Sequence, residues 1–205
     1  IEYIKPTLVW IVTTIVVSLV LVFTIYPVGI FLTTRLNPIP FVKKTLKIGL
    51  FAAATNSSAA TLPLNTKTCT EELGCSKEIS SFVLPTGMTI NMNGTAIMQV
   101  VATLFIAGCA GYDVTLSQII VVALLALIAS AGTPAAPGAG AIILFTILSG
   151  LGYVNDGALL AYSLILAINR PIEMLVTALN VVGDSATAIY VAKSEGMLNE
   201  DIYNS

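Results

Sequence analysis

The sequence predicts an all-α membrane protein, and three observations carry that prediction. Of 205 residues, 56% are hydrophobic and only 10% are charged. Soluble domains carry about 25% charged residues, so this composition cannot furnish a water-facing surface. The charges are gathered into clusters that leave long uncharged runs between them. Most of those runs are interrupted by glycine, proline or asparagine rather than by charge.

The first run lies between Lys5 and Arg35. It exceeds the roughly 20 helical residues a bilayer core requires and predicts a spanning helix over 7–34. The next, between Lys47 and Lys67, has Asn56-Ser57-Ser58-Ala59-Ala60-Thr61-Leu62-Pro63 at its centre. Small polar residues there are costly in lipid unless they meet a polar partner. A re-entrant hairpin over 42–76, broken at the Asn-Ser cluster and Pro63, is favoured. The alternative is one helix whose hydroxyls bond back to their own carbonyls.

A broken helix is expected over 78–111, where Asn91-Met92-Asn93-Gly94-Thr95 interrupts an uncharged run. The run between Asp113 and Asp156 would measure about 60 Å as one helix, twice the hydrocarbon thickness. It must fold back where glycine and proline crowd, at Ser130-Ala131-Gly132-Thr133-Pro134-Ala135-Ala136-Pro137-Gly138-Ala139-Gly140. A second re-entrant hairpin over 114–152 follows. Its irregular tip at membrane depth requires protein or a wet cavity around it. The alternative is two tilted spanning helices that turn at the far interface. A final helix is expected over 155–193, with a frayed cytoplasmic tail over 194–205.

The halves read as a repeat, each a hairpin with a small-residue tip followed by a helix bearing an Asn-Gly cluster. Paired interrupted segments of this kind mark the substrate sites of transporters built from inverted repeats. Basic residues Arg35, Lys43, Lys44, Lys47, Lys67, Lys77 and Lys193 set the orientation. The positive-inside rule puts their loops and the C-terminus in the cytoplasm of a multi-pass cell-membrane protein.

Arg170, Glu173, Thr177, Asn180 and Asp184 are spaced three, four, three and four apart, so they share one helix face. Ionisable residues within a membrane are functional candidates by default; the competing reading is a structural Arg170–Glu173 ion pair with polar glue. The Asn91–Thr95 break frees carbonyl oxygens, which hard cations prefer. Helix ends add partial charge suited to a cation beside a carboxylate-bearing solute. The bland reading of the break is a kink cross-linked by asparagines.

Other classes are excluded on composition. With net charge −2 and nine basic side chains, the chain is no nucleic-acid binder. It has no histidine, no paired nucleophile and base and no cofactor motif, so it is not an enzyme. Cys69, Cys75 and Cys109 read as reduced structural thiols. The chain opens on Ile1, so upstream sequence is expected.

These motifs, in this order, resemble the C-terminal half of the dicarboxylate/amino acid:cation symporter family, the glutamate-transporter-homologue fold. The resemblance runs from about Leu8 to Glu195. It rests on Ser57 to Pro63, Asn91 to Thr95, Gly132-Thr133 with Pro137 to Gly140, and Asn180-Val181-Val182-Gly183-Asp184. It implies a mobile transport domain, preceded in the full protein by scaffold helices and one further transport-domain helix. It also implies a homotrimer in the lipid bilayer and an elevator motion.

Roles carry over by position. One sodium site matches carbonyls of Gly87, Asn91 and Asn180 with the Asp184 carboxylate. A second matches carbonyls of Thr89, Ser130, Ala131 and Thr133, near Met92. A third would use Asn91 and Asn93 with groups from the preceding helix. The amino-acid substrate matches Ser57, Ser58, Thr95, Ala136, Gly140, Glu173, Thr177 and Asn180, with Val176 at the position that sets specificity.

Three departures sharpen the expectation. Asn93 stands where the family has aspartate, which bears on the third sodium. Glu173 stands where an aspartate receives the substrate's amino group. Val176 replaces the arginine that pairs with an acidic side chain, and an unpaired acid is costly. The expected activity is therefore sodium-coupled symport of a small neutral amino acid. The alternatives are an acidic amino acid or dicarboxylate carrier using Arg170, an ion channel, and a non-transporting fragment.

Overall fold

The computed structural model describes residues 4–205; they are predominantly helical, with no named strand among the described residues. Helix α1 (Ile4–Val20) runs into a π-helical segment (Leu21–Ile25) and on into α2 (Tyr26–Thr34). The expected spanning helix thus contains a bulge just before Pro27. Proline has no N–H, and its ring clashes with the carbonyl four residues back. The chain accommodates it by widening one turn, so that the Tyr26 N–H reaches Leu21 O.

Two helices follow, α3 (Pro38–Thr55) and α4 (Ser58–Glu71), with the break confined to Asn56 and Ser57. Asn56 ends α3 in the left-handed conformation (φ 49°), and the Ser57 side chain accepts from Ala60 N to cap α4. Pro63, expected to take part in the break, lies inside α4 instead. The local caps, not the proline, decide where this element turns. The first helix also starts earlier than the expected 42, because Asn37 caps it at Pro38.

Helix α5 (Lys77–Ile90) and α6 (Asn93–Cys109) are separated by Asn91 and Met92, which leave helical geometry with ψ of 72° and 45°. Helices α7 (Leu116–Ala131) and α8 (Ala139–Leu151) flank a non-helical tip over 132–138. A Thr115–Gln118 capping box starts α7, and Gly138 enters α8 at φ 84°.

The final helix expected over 155–193 is two helices, α9 (Asp156–Ile168) and α10 (Arg170–Ser194). They divide at Asn169, beside Pro171 in the first turn of α10, where a missing N–H costs nothing. The expected frayed tail is docked. Leu198 bridges Cys75, and a short helix α11 (Glu200–Asn204) brings Tyr203 to complete burial. The Tyr203 hydroxyl donates to Asn37 O at 2.8 Å, and Lys44 Nζ donates to the carbonyls of Glu72, Ile202 and Tyr203. Burial pushes the Tyr203 phenol up to about 12, so it remains a donor at neutral pH.

Packing is inside-out relative to a soluble protein. Phe82, Leu116 and Ile128 are more than 70% exposed, while Asn65, Asn180, Asp184 and Ser185 are buried. Among the described residues, three helical stretches are long and apolar enough to cross a membrane: Lys5–Thr34, Lys77–Cys109 and Arg170–Ser194. Two large apolar cores form, beside a small one of Ile48, Ala52 and Val181. One gathers Ile30, Phe41, Leu73, Leu84, Ile189 and Tyr203; the other gathers Trp10, Ile106, Leu144, Leu148, Ile165 and Ile172. Helix α10 serves both, with Leu179 in the first and Val176 in the second. Its polar stripe falls at the junction of the two.

Candidate functional site

Four elements converge at that junction: the α3–α4 turn, the α5–α6 break, the 132–138 tip and the middle of α10. Between them lies a cavity of about 40 Å³. It is lined by Ser58, Thr95, Ala136, Gly140, Glu173, Val176, Thr177 and Asn180, all expected substrate residues, together with Met92 and Thr133. Ser57 does not line it. Its hydroxyl instead donates to Ala135 O at 2.9 Å and so joins the two tips.

Each polar side chain is held. Asn180 Oδ1 accepts from Gly94 N at 2.7 Å, and its Nδ2 donates to Thr95 Oγ1 at 3.0 Å. This cross-bridge ties α10 to the first turn of α6. Gly94 permits it, since a Cβ there would stand 2.6 Å from Val176 O. Thr177 donates to Glu173 O at 2.8 Å.

Asn56, which the sequence analysis did not assign to the site, completes the wall. In the amide orientation that satisfies every neighbour, its oxygen accepts from Arg170 at 2.9 Å. Its nitrogen donates to Glu173 O at 3.0 Å and to Thr177 Oγ1 at 2.9 Å. The signal was available: an asparagine that ends a helix in the left-handed region is well suited to a tip. Met98, Pro134 and Ala135 also line the cavity unforeseen. Met98 stands one turn beyond Thr95, a spacing that puts it on the same face.

Glu173 is 7% exposed, and its Oε1 is buried without a partner. Its other oxygen is 3.8 Å from Arg170 Nη1. Arg170 itself departs from the expected inward stripe: its side chain is 57% exposed, at the rim rather than in the pocket. Met98, Val176, Pro134 and Ala136 give the cavity apolar lining as well. Gln99 Nε2 donates to Gly140 O at 3.0 Å, linking α6 to the start of α8.

A second polar cluster lies further along α10. Asn91 Nδ2 donates to Asp184 Oδ1 at 2.9 Å and to Asn180 O at 3.3 Å. A Cβ on Gly87 would stand 2.6 Å from Asp184 Oδ1, so α5 passes directly over the carboxylate. Gly87, Asn91, Asn180 and Asp184 are thus together. They offer one negative charge and backbone oxygens, a donor set suited to a hard cation. Asn93 joins the cluster through Asn91 Oδ1 at 2.7 Å.

The other expected cation set is less assembled. Thr89 is exposed and bonds within its own helix, to Thr86 O. The Ser130 carbonyl accepts from Thr133 N, Thr133 Oγ1 donates to Ala129 O, and Ala131 is exposed.

Apolar outer surfaces, helices long enough to cross a membrane and a polar pocket lined by helix breaks place the chain with helical proteins of membrane type. The sequence model of the sodium:dicarboxylate symporter family matches residues 1–194, and the chain belongs to that family. Its relatives include excitatory amino acid transporter 1 of Rattus norvegicus, 38% identical over 177 residues, which are 86% of this chain and 32% of the relative. Excitatory amino acid transporter 5 of Homo sapiens is 38% identical over 164 residues, 80% of this chain and 29% of the relative. An excitatory amino acid transporter of Caenorhabditis elegans is 37% identical over 163 residues, 79% and 31% respectively. The chain spans about a third of the length of these curated relatives. The family and these relatives are transporters, not enzymes.

Proposed function

We propose that this chain forms the substrate-carrying part of a sodium-coupled symporter for a small neutral amino acid. The observation that carries the reading is Glu173 Oε1, a buried carboxylate oxygen with no partner, on a residue that lines the pocket. Leaving an ionised oxygen unpaired is expensive. A ligand ammonium relieves that cost and gains a charge-assisted bond. The remaining wall, with Val176 and Met98, gives an uncharged side chain an apolar seat and gives an acidic one no cation.

Coupling follows from the shared partners. Asn180 faces the pocket through its side chain and offers its carbonyl to the Asp184 cluster. Sodium at Asp184 would fix the helix break that the ligand also contacts. Each occupant then favours the same arrangement, which is how differential affinity shifts a population. In this reading the α3–α4 and α7–α8 pairs are re-entrant, inverted-repeat hairpins. The C-terminus is cytoplasmic, and the full-length protein is a homotrimer that moves by an elevator motion. Thr89, Ser130, Ala131 and Thr133 supply a further sodium site once the 132–138 tip closes.

A second reading has one observation in its favour. Arg170 stands at the pocket rim beside Asn56 and Glu173, and the relatives are named for excitatory amino acids. Swung inward, its guanidinium would serve an acidic amino acid or dicarboxylate. Thermal shifts of the full-length protein with alanine, serine, aspartate and succinate, with and without sodium, separate the two. Sodium-dependent stabilisation by alanine or serine supports the neutral reading. Stabilisation by aspartate or succinate alone overturns it.

A further inference from the structure

Tyr26 stands where the π-helical segment passes into α2. One extra residue in a turn rotates everything beyond it by about 100° relative to an uninterrupted helix. The bulge at Leu21–Ile25 therefore decides which way Tyr26 faces, and it faces inward, 7% exposed. Its backbone carbonyl accepts from the Tyr190 hydroxyl at 3.4 Å, which pins this turn to α10.

The Tyr26 hydroxyl begins a chain of hydrogen bonds that ends on a carboxylate. It accepts from Asn93 Nδ2 at 3.2 Å and donates to Leu179 O at 3.5 Å. The same Asn93 nitrogen donates to Asn91 Oδ1 at 2.7 Å, and Asn91 Nδ2 donates to Asp184 Oδ1 at 2.9 Å. Asn91 accepts from Asn93 at its oxygen and donates to Asp184 from its nitrogen, so its bond to the carboxylate is reinforced by the one behind it. Placed between Tyr26 and Asn91, Asn93 has both amide hydrogens engaged, which fixes its plane.

An independent feature shows that α10 is shaped for this chain. A Cβ on Gly183 would lie 2.5 Å from the Tyr26 hydroxyl and 2.7 Å from Asn91 Nδ2. The helix is bare at the one position where both groups must approach, immediately before Asp184.

We infer that Tyr26 is a positioning residue for cation binding: acting through Asn93 and Asn91, it holds the Asp184 carboxylate in its receiving orientation. The inference rests on the proposed role of Asp184. It adds a residue from the α1–α2 helix, outside every motif that signals the site.

The test is a sodium titration of amino-acid binding to the full-length protein and its variants. Tyr26→Phe keeps the ring and removes the hydroxyl. It is expected to weaken apparent sodium affinity about three- to tenfold, the range of one hydrogen bond. Amino-acid affinity at saturating sodium should be unchanged. Asn93→Ala should weaken sodium at least as much, and the double variant no more than Asn93→Ala alone. A structural role only would lower thermal stability in sodium-free buffer and amino-acid affinity at saturating sodium alike. Either that pattern, an unchanged sodium affinity in Tyr26→Phe, or additive losses in the double variant overturns the inference. Asp184→Asn separates the two levels. If it retains sodium dependence, the role of Asp184 fails. If it loses it while Tyr26→Phe binds sodium normally, only the role of Tyr26 fails.

Discussion

The α3–α4 and α7–α8 turns face each other across the pocket and are built on opposite principles. The first is two residues long, sealed by an Asn56 end and a Ser57 cap, and cross-linked by Asn56 to α10. The second is the seven-residue segment 132–138, rich in glycine and proline. Pro134, Ala136 and Pro137 are exposed, and a Cβ on Gly138 would meet nothing within 4 Å. One turn is a wall and the other has room to move. On the proposed function, the contrast assigns opening to 132–138 and affinity to the α3–α4 turn and α10.

The largest expected effect lies outside both turns, at the Asp184 cluster. Asp184→Asn in the full-length protein should cost sodium-dependent ligand binding about 3 kcal/mol, over a hundredfold, read by calorimetry with and without sodium. Next is Glu173→Gln, which keeps the shape but removes the charge facing the ligand ammonium. It should weaken amino-acid binding by about 1.5–3 kcal/mol while leaving ligand-free thermal stability nearly unchanged or raised, because an unpaired buried oxygen is relieved. A fall in stability without a fall in affinity would make Glu173 structural.

Smaller effects sharpen the wall-and-gate contrast. Ser57→Ala removes both a helix cap and the bond to Ala135, and should lower stability by about 1 kcal/mol in a thermal melt. Gly138→Ala forces an alanine to φ 84° with no new contact. It should cost about 1 kcal/mol, read in ligand release rates if 132–138 is the segment that opens. Equal effects of the two substitutions on release would erase the distinction.

The breaks at Asn56-Ser57, Asn91-Met92 and 132–138 were legible because each is written locally, in residues that cap, unwind or refuse helices. Part of the pocket was legible in the same way, since Glu173, Thr177 and Asn180 follow helical spacing; Ser58, Ala136, Gly140 and Val176 came from the family resemblance instead. Other features depend on partners distant in sequence. Tyr203 reads as part of a polar tail until Asn37 and Lys44 meet it. Asn56 reads as a turn residue until Arg170, Glu173 and Thr177 surround it. Pro27 signals a distortion of the first helix but not which side chain the widened turn carries inward, so Tyr26 was assigned no role. Pro63 misled because a proline close to the Asn-Ser cluster reads as part of the same break, whereas the caps at Asn56 and Ser57 turn the chain before it.

The central claim is that a cation held at Asp184 and a ligand held at Glu173 stabilise one arrangement of α10 and the α5–α6 break. The most direct test is the affinity of the full-length protein for alanine across a sodium series, beside Asp184→Asn. The account predicts affinity that climbs with sodium in the native protein and stays flat in the variant. Parallel sodium dependence in the two proteins would contradict it.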